Sequence, residues 1–164
     1  MSKPPGIAAA SFEQLVSPLL ARAAGLARAI LHNHADAEDA VQDAALRAYR
    51  ALASYDPARS FAGWWFAIVR NCCRDFLRHR QSNPPARPVD DADRQTPGHV
   101  PWQELCDALD SLSTQHRQIL QLRYFAQCSY RDLADALDIP IGTVMSRLHA
   151  ARQALASVYT QEKP

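Results

Sequence analysis

The sequence has no run of about 18 apolar residues, so no segment of it reads as membrane-spanning. Its opening, Met1-Ser-Lys-Pro-Pro-Gly, lacks the charged, apolar and small-residue order of a secretory signal, and a cytoplasmic protein is expected. Cysteine is scarce, and Cys72, Cys73, Cys106 and Cys128 form no CxxC pair. Neighbouring helical residues point about 100° apart, so Cys72 and Cys73 do not chelate together. The thiols read as small buried hydrophobes. A Gly-rich phosphate loop, a Ser/His/Asp arrangement and metal-ligand spacing are all missing. His32 and His34, close to Asp36, make one small cluster at an inter-helix turn and read as surface residues. No catalytic residue, metal or cofactor is therefore expected, and the chain does not read as an enzyme. Alternating strand patterns are lacking as well, which leaves an all-α chain.

Excess charge is also missing. The 164 residues carry a formal net charge of +1, which argues neither for nor against nucleic acid. The distribution is more informative. Between residues 59 and 80 five arginines (Arg59, Arg70, Arg74, Arg78, Arg80) face one acid, Asp75, for a net +4, whereas residues 1–58 sum to −1. A basic block of this kind suits phosphate.

Helical periodicity divides the chain into two lobes. Ser11 and Gln14 fit a capping box ahead of Phe12, Leu15, Val16 and Leu19. Pro18 then ends a short turn or opens a new helix. Asp36 reads as an N-cap, with Glu38 and Asp39 in the first turn, for a helix to about Ala53. Tyr55-Asp-Pro57 breaks it, and a third helix follows over about 61–79, where Trp64 and Phe76 read as core. Residues 82–101 hold five of the eleven prolines together with Asp90, Asp91 and Asp93, so they read as a linker between two small helical domains, 11–81 and 102–159. Four shorter helices are expected beyond it, near 102–111, 114–125, 129–137 and 141–158, with Ser113 and Ser129 as caps.

The last two helices have the pattern of a helix-turn-helix. Leu133, Ala134 and Leu137 turn inward, Asp138-Ile-Pro140 makes the turn, and Val144, Leu148 and Ala151 face the core at i, i+4 and i+7. The outer face then carries Thr143, Met145, Ser146, Arg147, His149 and Arg152, whose donors suit base edges or phosphates. In the front lobe, Asp36, Asp39 and Asp43 share a face with Arg47 and Arg50, which on its own is an ordinary solvated face. Residues 55–78 combine aromatics with a basic edge, the mixture that single-stranded DNA requires.

These stretches resemble the extracytoplasmic-function (ECF) sigma factors of RNA polymerase. Pro140-Ile-Gly-Thr-Val-Met-Ser-Arg-Leu-His-Ala-Ala-Arg152 is similar to the family's P-x-G-T-V-x-S-R-L-x-R-A-R, with Ala150 where Arg is frequent. Leu112-Ser-Thr-Gln-His-Arg117 resembles L-P-x-x-x-R, with Ser113 in place of Pro, and Ser129-Tyr-Arg-Asp-Leu-Ala134 resembles S-Y-x-E-I-A. Asp36-Ala-Glu-Asp-Ala-Val-Gln-Asp43 is similar to D-A-E-D-L-V-Q-E. Tyr55 to Arg78 resembles F-D-x-x-R-x-F-R-A-W-L-x-x-I-A-R-N-x-x-x-D-x-L-R.

The resemblance implies a region 2 bundle and a region 4 helix-turn-helix in a factor that directs core RNA polymerase to promoters and melts them. It implies −35 contacts by Tyr130, Arg131, Thr143, Met145, Ser146, Arg147, His149 and Arg152. For the −10 element it implies Ser60, Phe61, Asn71, Arg70, Arg74 and Arg78. Asp36, Asp39, Gln42, Asp43 and Arg47 would dock on the β′ coiled coil, and the rear lobe on the β flap. An anti-sigma protein is an expected partner. The linker would thread toward the active-site cleft, its aspartates imitating a nucleic-acid backbone, or it is simply a flexible spacer. A stand-alone helix-turn-helix regulator is the alternative, and it would leave residues 36–80 without a task.

Overall fold

A computed structural model describes residues 9–82 and 102–161, so the stretch read as linker lies, apart from Ser82, outside the described residues. The described residues form helices α1 (Ala9–Val16), α2 (Leu20–Leu31), α3 (His34–Ala51), α4 (Phe61–Ser82), α5 (Trp102–Asp110), α6 (Thr114–Tyr124), α7 (Tyr130–Leu137) and α8 (Ile141–Gln161), with no strand among them. Short 3₁₀ turns, Ser17–Leu19 and Leu52–Ser54, bridge α1 to α2 and extend α3.

Two helix starts differ from the sequence expectation. Ser11 lies inside α1 rather than capping it, because α1 already begins at Ala9. Asn33, not Asp36, caps α3: its backbone is extended and its Oδ1 accepts from the Asp36 N–H at 2.8 Å. The residue before it, His32, closes α2 at φ 54°, so α3 can start only two residues later. Asp36 instead sits in the first turn, where the helix dipole favours its charge. Pro18 occupies the opening positions of the first 3₁₀ turn, where its missing N–H is harmless.

Alanine sets the packing of the front lobe. Ala23, Ala27, Ala37, Ala40, Ala44 and Ala48 are sealed from solvent, and their small size lets α2 and α3 approach closely. α4 fills the remaining space with Trp65, Phe66, Val69, Cys72 and Cys73, all fully buried. The core tryptophan is therefore Trp65; Trp64, expected there, is half-buried in a ring cluster with Tyr55 and Phe61 at centroid distances of 5.2 and 5.5 Å. Phe76 is likewise only half-buried.

In the rear lobe Ile119, Leu120, Leu122, Leu133, Val144 and Leu148 make the core. Ser129 and Asp132 close the expected capping box on α7. Asp138 ends α7 in the left-handed region at φ 53°, and the Ile139 N–H donates to the Ala134 carbonyl, which fixes the turn into α8.

The two lobes pack against each other. α4 contacts α7, α2 contacts α6, and one buried apolar cluster runs through both. Gln121, 5% exposed, donates from Nε2 to the Ala29 carbonyl at 3.0 Å. Arg22 spans the same seam, donating to the Ala126 carbonyl at 2.7 Å while its guanidinium lies over the Phe66 ring.

Candidate nucleic-acid interface

On α8 the expected division of faces is present. Val144, Leu148 and Ala151 are buried, while Met145, Ser146, His149 and Arg152 are exposed and Thr143 and Arg147 are half-buried. Met145 is 57% exposed, unusual for a large apolar side chain and suited to a thymine methyl or a sugar. Arg147 makes no hydrogen bond or ion pair within the described residues, so its donors are available. Arg152 donates from Nε to the Tyr124 hydroxyl at 2.9 Å, which orients the guanidinium at the outer edge. Tyr130 stacks beneath Arg123, 5.6 Å from guanidinium to ring centroid. Arg131 points elsewhere: its Nη2 donates to the Ala58 carbonyl of the front lobe at 3.0 Å.

The α4 surface is divided as well. The Ser60 carbonyl accepts from the Trp64 N–H and its Oγ from the Gly63 N–H, so Ser60 caps the helix. Phe61 packs edge-on to Tyr55 at 5.4 Å, and burial together with Asp56 and Asp135 pushes the Tyr55 phenol upward. Asn71 is exposed. Arg70 and Arg74 line a cleft of about 460 Å³ between the lobes, shared with His32, Arg117 and Gln121. Arg70 Nε is buried without a hydrogen-bond partner, and burial plus the charge of Arg74 lower its pKa. Arg78 is held differently, in an ion pair with Asp75. Arg70, Arg74 and Arg78, grouped by the sequence in one basic block, are thus held in different ways.

The acidic face of α3 splits in two. Asp43 pairs with Arg47 at 2.8 Å, Arg47 reaches Asp75 on α4 at 2.6 Å, and Asp36 pairs with Arg80 at 3.1 Å. Hydrogen bonds from Arg47 and Arg78 hold the Asp75 carboxyl below its ordinary range. These residues tie α3 to α4. Asp39 and Gln42 instead point outward and share a face with Leu46 and Tyr49, which are 56% and 51% exposed. The spacing 39, 42, 46, 49 places all four within about 80° on a helix. Leu46 and Tyr49 escaped the sequence reading, although an apolar residue inside a charged helical face is a legible sign.

The sequence reading also missed the contacts between α4 and α7. Ser60 donates from its backbone N–H to Asp135 Oδ2 at 2.7 Å, and its hydroxyl hydrogen-bonds the Asp132 carboxylate. Arg59 donates to the Asp135 carbonyl at 3.0 Å and to Asp138 Oδ1 at 3.2 Å. Gly63, an isolated glycine in a helical pattern, was the available signal of close approach. Among the described residues no group of three or more His, Cys, Asp or Glu is placed to hold a metal.

Residues 15–83 match the family Sigma-70 region 2, and residues 102–155 match Sigma-70, region 4. The chain is 30% identical over 162 residues to the RNA polymerase sigma-H factor of Pseudomonas aeruginosa, covering 88% of this chain and 84% of that one. It is 34% identical over 139 residues to the ECF RNA polymerase sigma factor EcfG of Rhodopseudomonas palustris, covering 78% and 74%. Among solved structures, CnrH in complex with the cytosolic domain of CnrY superposes with a TM-score of 0.72 at 26% identity, over 94% of this chain and 90% of that one. The sigma factor RpoE bound to the anti-sigma factor NepR, from Bartonella quintana, gives 0.71 at 26% identity, over 93% and 98%. With both regions matched in order on one all-helical chain, and with these relatives covered over most of their length, the chain belongs to the ECF RNA polymerase sigma factors.

Proposed function

We propose that the chain brings core RNA polymerase to promoters by a division of labour between its lobes. The rear lobe reads duplex at the −35 element through the outer face of α8, with Arg147 and Arg152 as principal donors and Met145 as the apolar contact. The front lobe holds the melted −10 strand along the start of α4 and its basic side, with Phe61 and Asn71 at the bases and Arg70, Arg74 and Arg78 toward phosphate. Docking on polymerase falls to α3: Asp39 and Gln42 with Leu46 and Tyr49 form the contact for the β′ coiled coil, while Asp36, Asp43 and Arg47 hold that face in place. The rear lobe meets the β flap.

One observation carries this reading: the outer face of α8 and the outer face of α3 both present exposed side chains, on opposite lobes of a chain that matches both sigma regions. A regulator acting alone would use the first face and leave the second unexplained. One solved relative, the sigma factor RpoE from Bartonella quintana, is a complex with the anti-sigma factor NepR, which supports an anti-sigma protein as a partner here too. None of the helices among the described residues is long and apolar enough to cross a membrane. The cytoplasm, where polymerase and promoters are found, is the proposed location.

The test is transcription in vitro from a randomised promoter library with core polymerase and the full chain. Selective initiation at a shared −35/−10 pair is expected. Initiation no different from core enzyme alone would reject the assignment.

A further inference from the structure

The cleft between α4 and α6 gathers positive charge that the chain itself leaves uncompensated. Arg70 and Arg74 stand one turn apart on the α4 face that lines it, and Arg117 lines it from α6. Asp110 is the one carboxylate among its lining residues, and it is already shared. Arg117 Nη1 donates to Asp110 Oδ1 at 3.0 Å, and His32 Nε2 lies 3.5 Å from Asp110 Oδ2. Three guanidiniums against one carboxylate leave a surplus of two positive charges. Arg74 makes no hydrogen bond or ion pair within the described residues.

Arg70 is the residue most exposed to this imbalance. Its Nε is shielded from solvent and has no hydrogen-bond partner among the described residues, and burial together with the charge of Arg74 lowers its pKa. A guanidinium keeps its proton in spite of such a shift, so the donor stays buried and unmet beside a like charge. An acceptor oxygen carrying negative charge relieves both faults at once. Guanidinium forks match phosphate oxygens, and the cleft volume of about 460 Å³ falls in the range of small-molecule sites, roughly 300–1,000 Å³. Among the described residues no Phe, Tyr or Trp lines the cleft to stack a base, whereas Thr114 and Gln118 add neutral donors. This lining suits a small phosphorylated anion better than a nucleic-acid base or an apolar ligand.

We propose that this cleft binds a small phosphorylated anion, held by Arg70 and Arg74 from α4 and by Arg117 from α6. The anion supplies the acceptor that Arg70 Nε lacks and screens Arg70 from Arg74. Gln118, half-buried in the same lining, adds an amide donor. Arg74 is exposed, which leaves the site open to an entering ligand. The site goes beyond the reading of α4 as the −10 surface and does not depend on it, because the free chain takes up the anion without DNA or polymerase.

Isothermal titration of the full chain with inorganic pyrophosphate at fixed ionic strength tests the site. Saturable binding of one pyrophosphate per chain is expected. Two substitutions should each weaken it by about tenfold or more: Arg74→Gln, which removes an exposed guanidinium, and Gln118→Glu, which sets a carboxylate among the arginines. Arg50→Gln, which removes an exposed arginine on α3 outside the cleft, should leave the affinity unchanged. Circular dichroism checks the fold of each variant, and Arg74→Gln, altering an exposed side chain, keeps the test open if Gln118→Glu misfolds. Absence of saturable heat up to about 10 mM pyrophosphate would overturn the site. So would equal affinities in wild type and Arg74→Gln, or an equal loss in Arg50→Gln, which would mark general attraction of an anion to a cationic surface.

Discussion

Arg147 shows how much a single side chain can be asked to do. It projects from the first turns of α8 and has no partner among the described residues, while Arg152 is steadied by Tyr124. If α8 reads the −35 element as proposed, a free guanidinium at this position is suited to bidentate contact with a guanine edge, worth about 1–3 kcal/mol of discrimination. Arg147→Ala should therefore flatten preference at one base step of the upstream element by about fivefold or more, measured by competition between promoter variants in holoenzyme binding. An unaltered preference would remove Arg147 from the reader. The cysteines have a different fate. Cys72, Cys73 and Cys128 are buried and their thiols are pushed up to about 12 by desolvation. In the unfolded chain they ionise near 9, so between these values the unfolded state releases protons that the folded state keeps. Stability from these groups is complete below pH 9 and falls as pH rises toward 12. Denaturant midpoints taken across that range should decline, and a triple Cys→Ala variant should decline less. That the thiols are buried was legible from their type and lack of partners; which neighbours shift them was not.

At the level of elements, helix α3 carries two messages in one charged pattern, and the sequence displayed only their sum. Asp36, Asp43 and Arg47 are committed to α4, whereas Asp39, Gln42, Leu46 and Tyr49 face outward. Periodicity grouped the acids together because it knows angles but not which side the next helix lies on. The same limit explains Trp64 and Trp65: adjacent tryptophans point about 100° apart, and only the position of the bundle axis decides which is core. Local chemistry was more readable. The capping box of α7, the turn at Asp138 and the buried row of α8 follow from residues close in sequence, and all are present. The outward half of α3 gives a test. Leu46→Glu puts a charge on an already exposed position, so thermal stability should change by about 0.5 kcal/mol or less. Affinity for core polymerase should fall at least tenfold, as expected for an apolar anchor at the centre of a contact. Native gel competition against wild-type protein would measure it, and undiminished binding would move the docking face elsewhere.

On the scale of the whole molecule, sequence pattern located both lobes but could not show that they touch, because the contacts join residues some 70–105 positions apart and follow no period. Gln121 is the most informative of them. It is polar, buried, and donates to the Ala29 carbonyl near the C-terminal end of α2, where a helix leaves carbonyls without intrahelical partners. Removing the donor strands that acceptor in a closed seam, a loss of about 1–3 kcal/mol. Gln121→Leu should thus weaken the seam without disturbing the core on either side, since Ile119, Leu120 and Leu122 remain buried in the rear lobe. The wild-type chain, with one apolar cluster running through both lobes, should unfold in a single cooperative transition. In the variant the lobes lose part of their mutual stabilisation, and the calorimetric trace should broaden or divide into two, the calorimetric enthalpy then exceeding the van't Hoff value. A single sharp transition at an unchanged temperature would mean that the hydrogen bond contributes nothing to lobe coupling. The seam would then be held by Arg22 and its carbonyl partners instead.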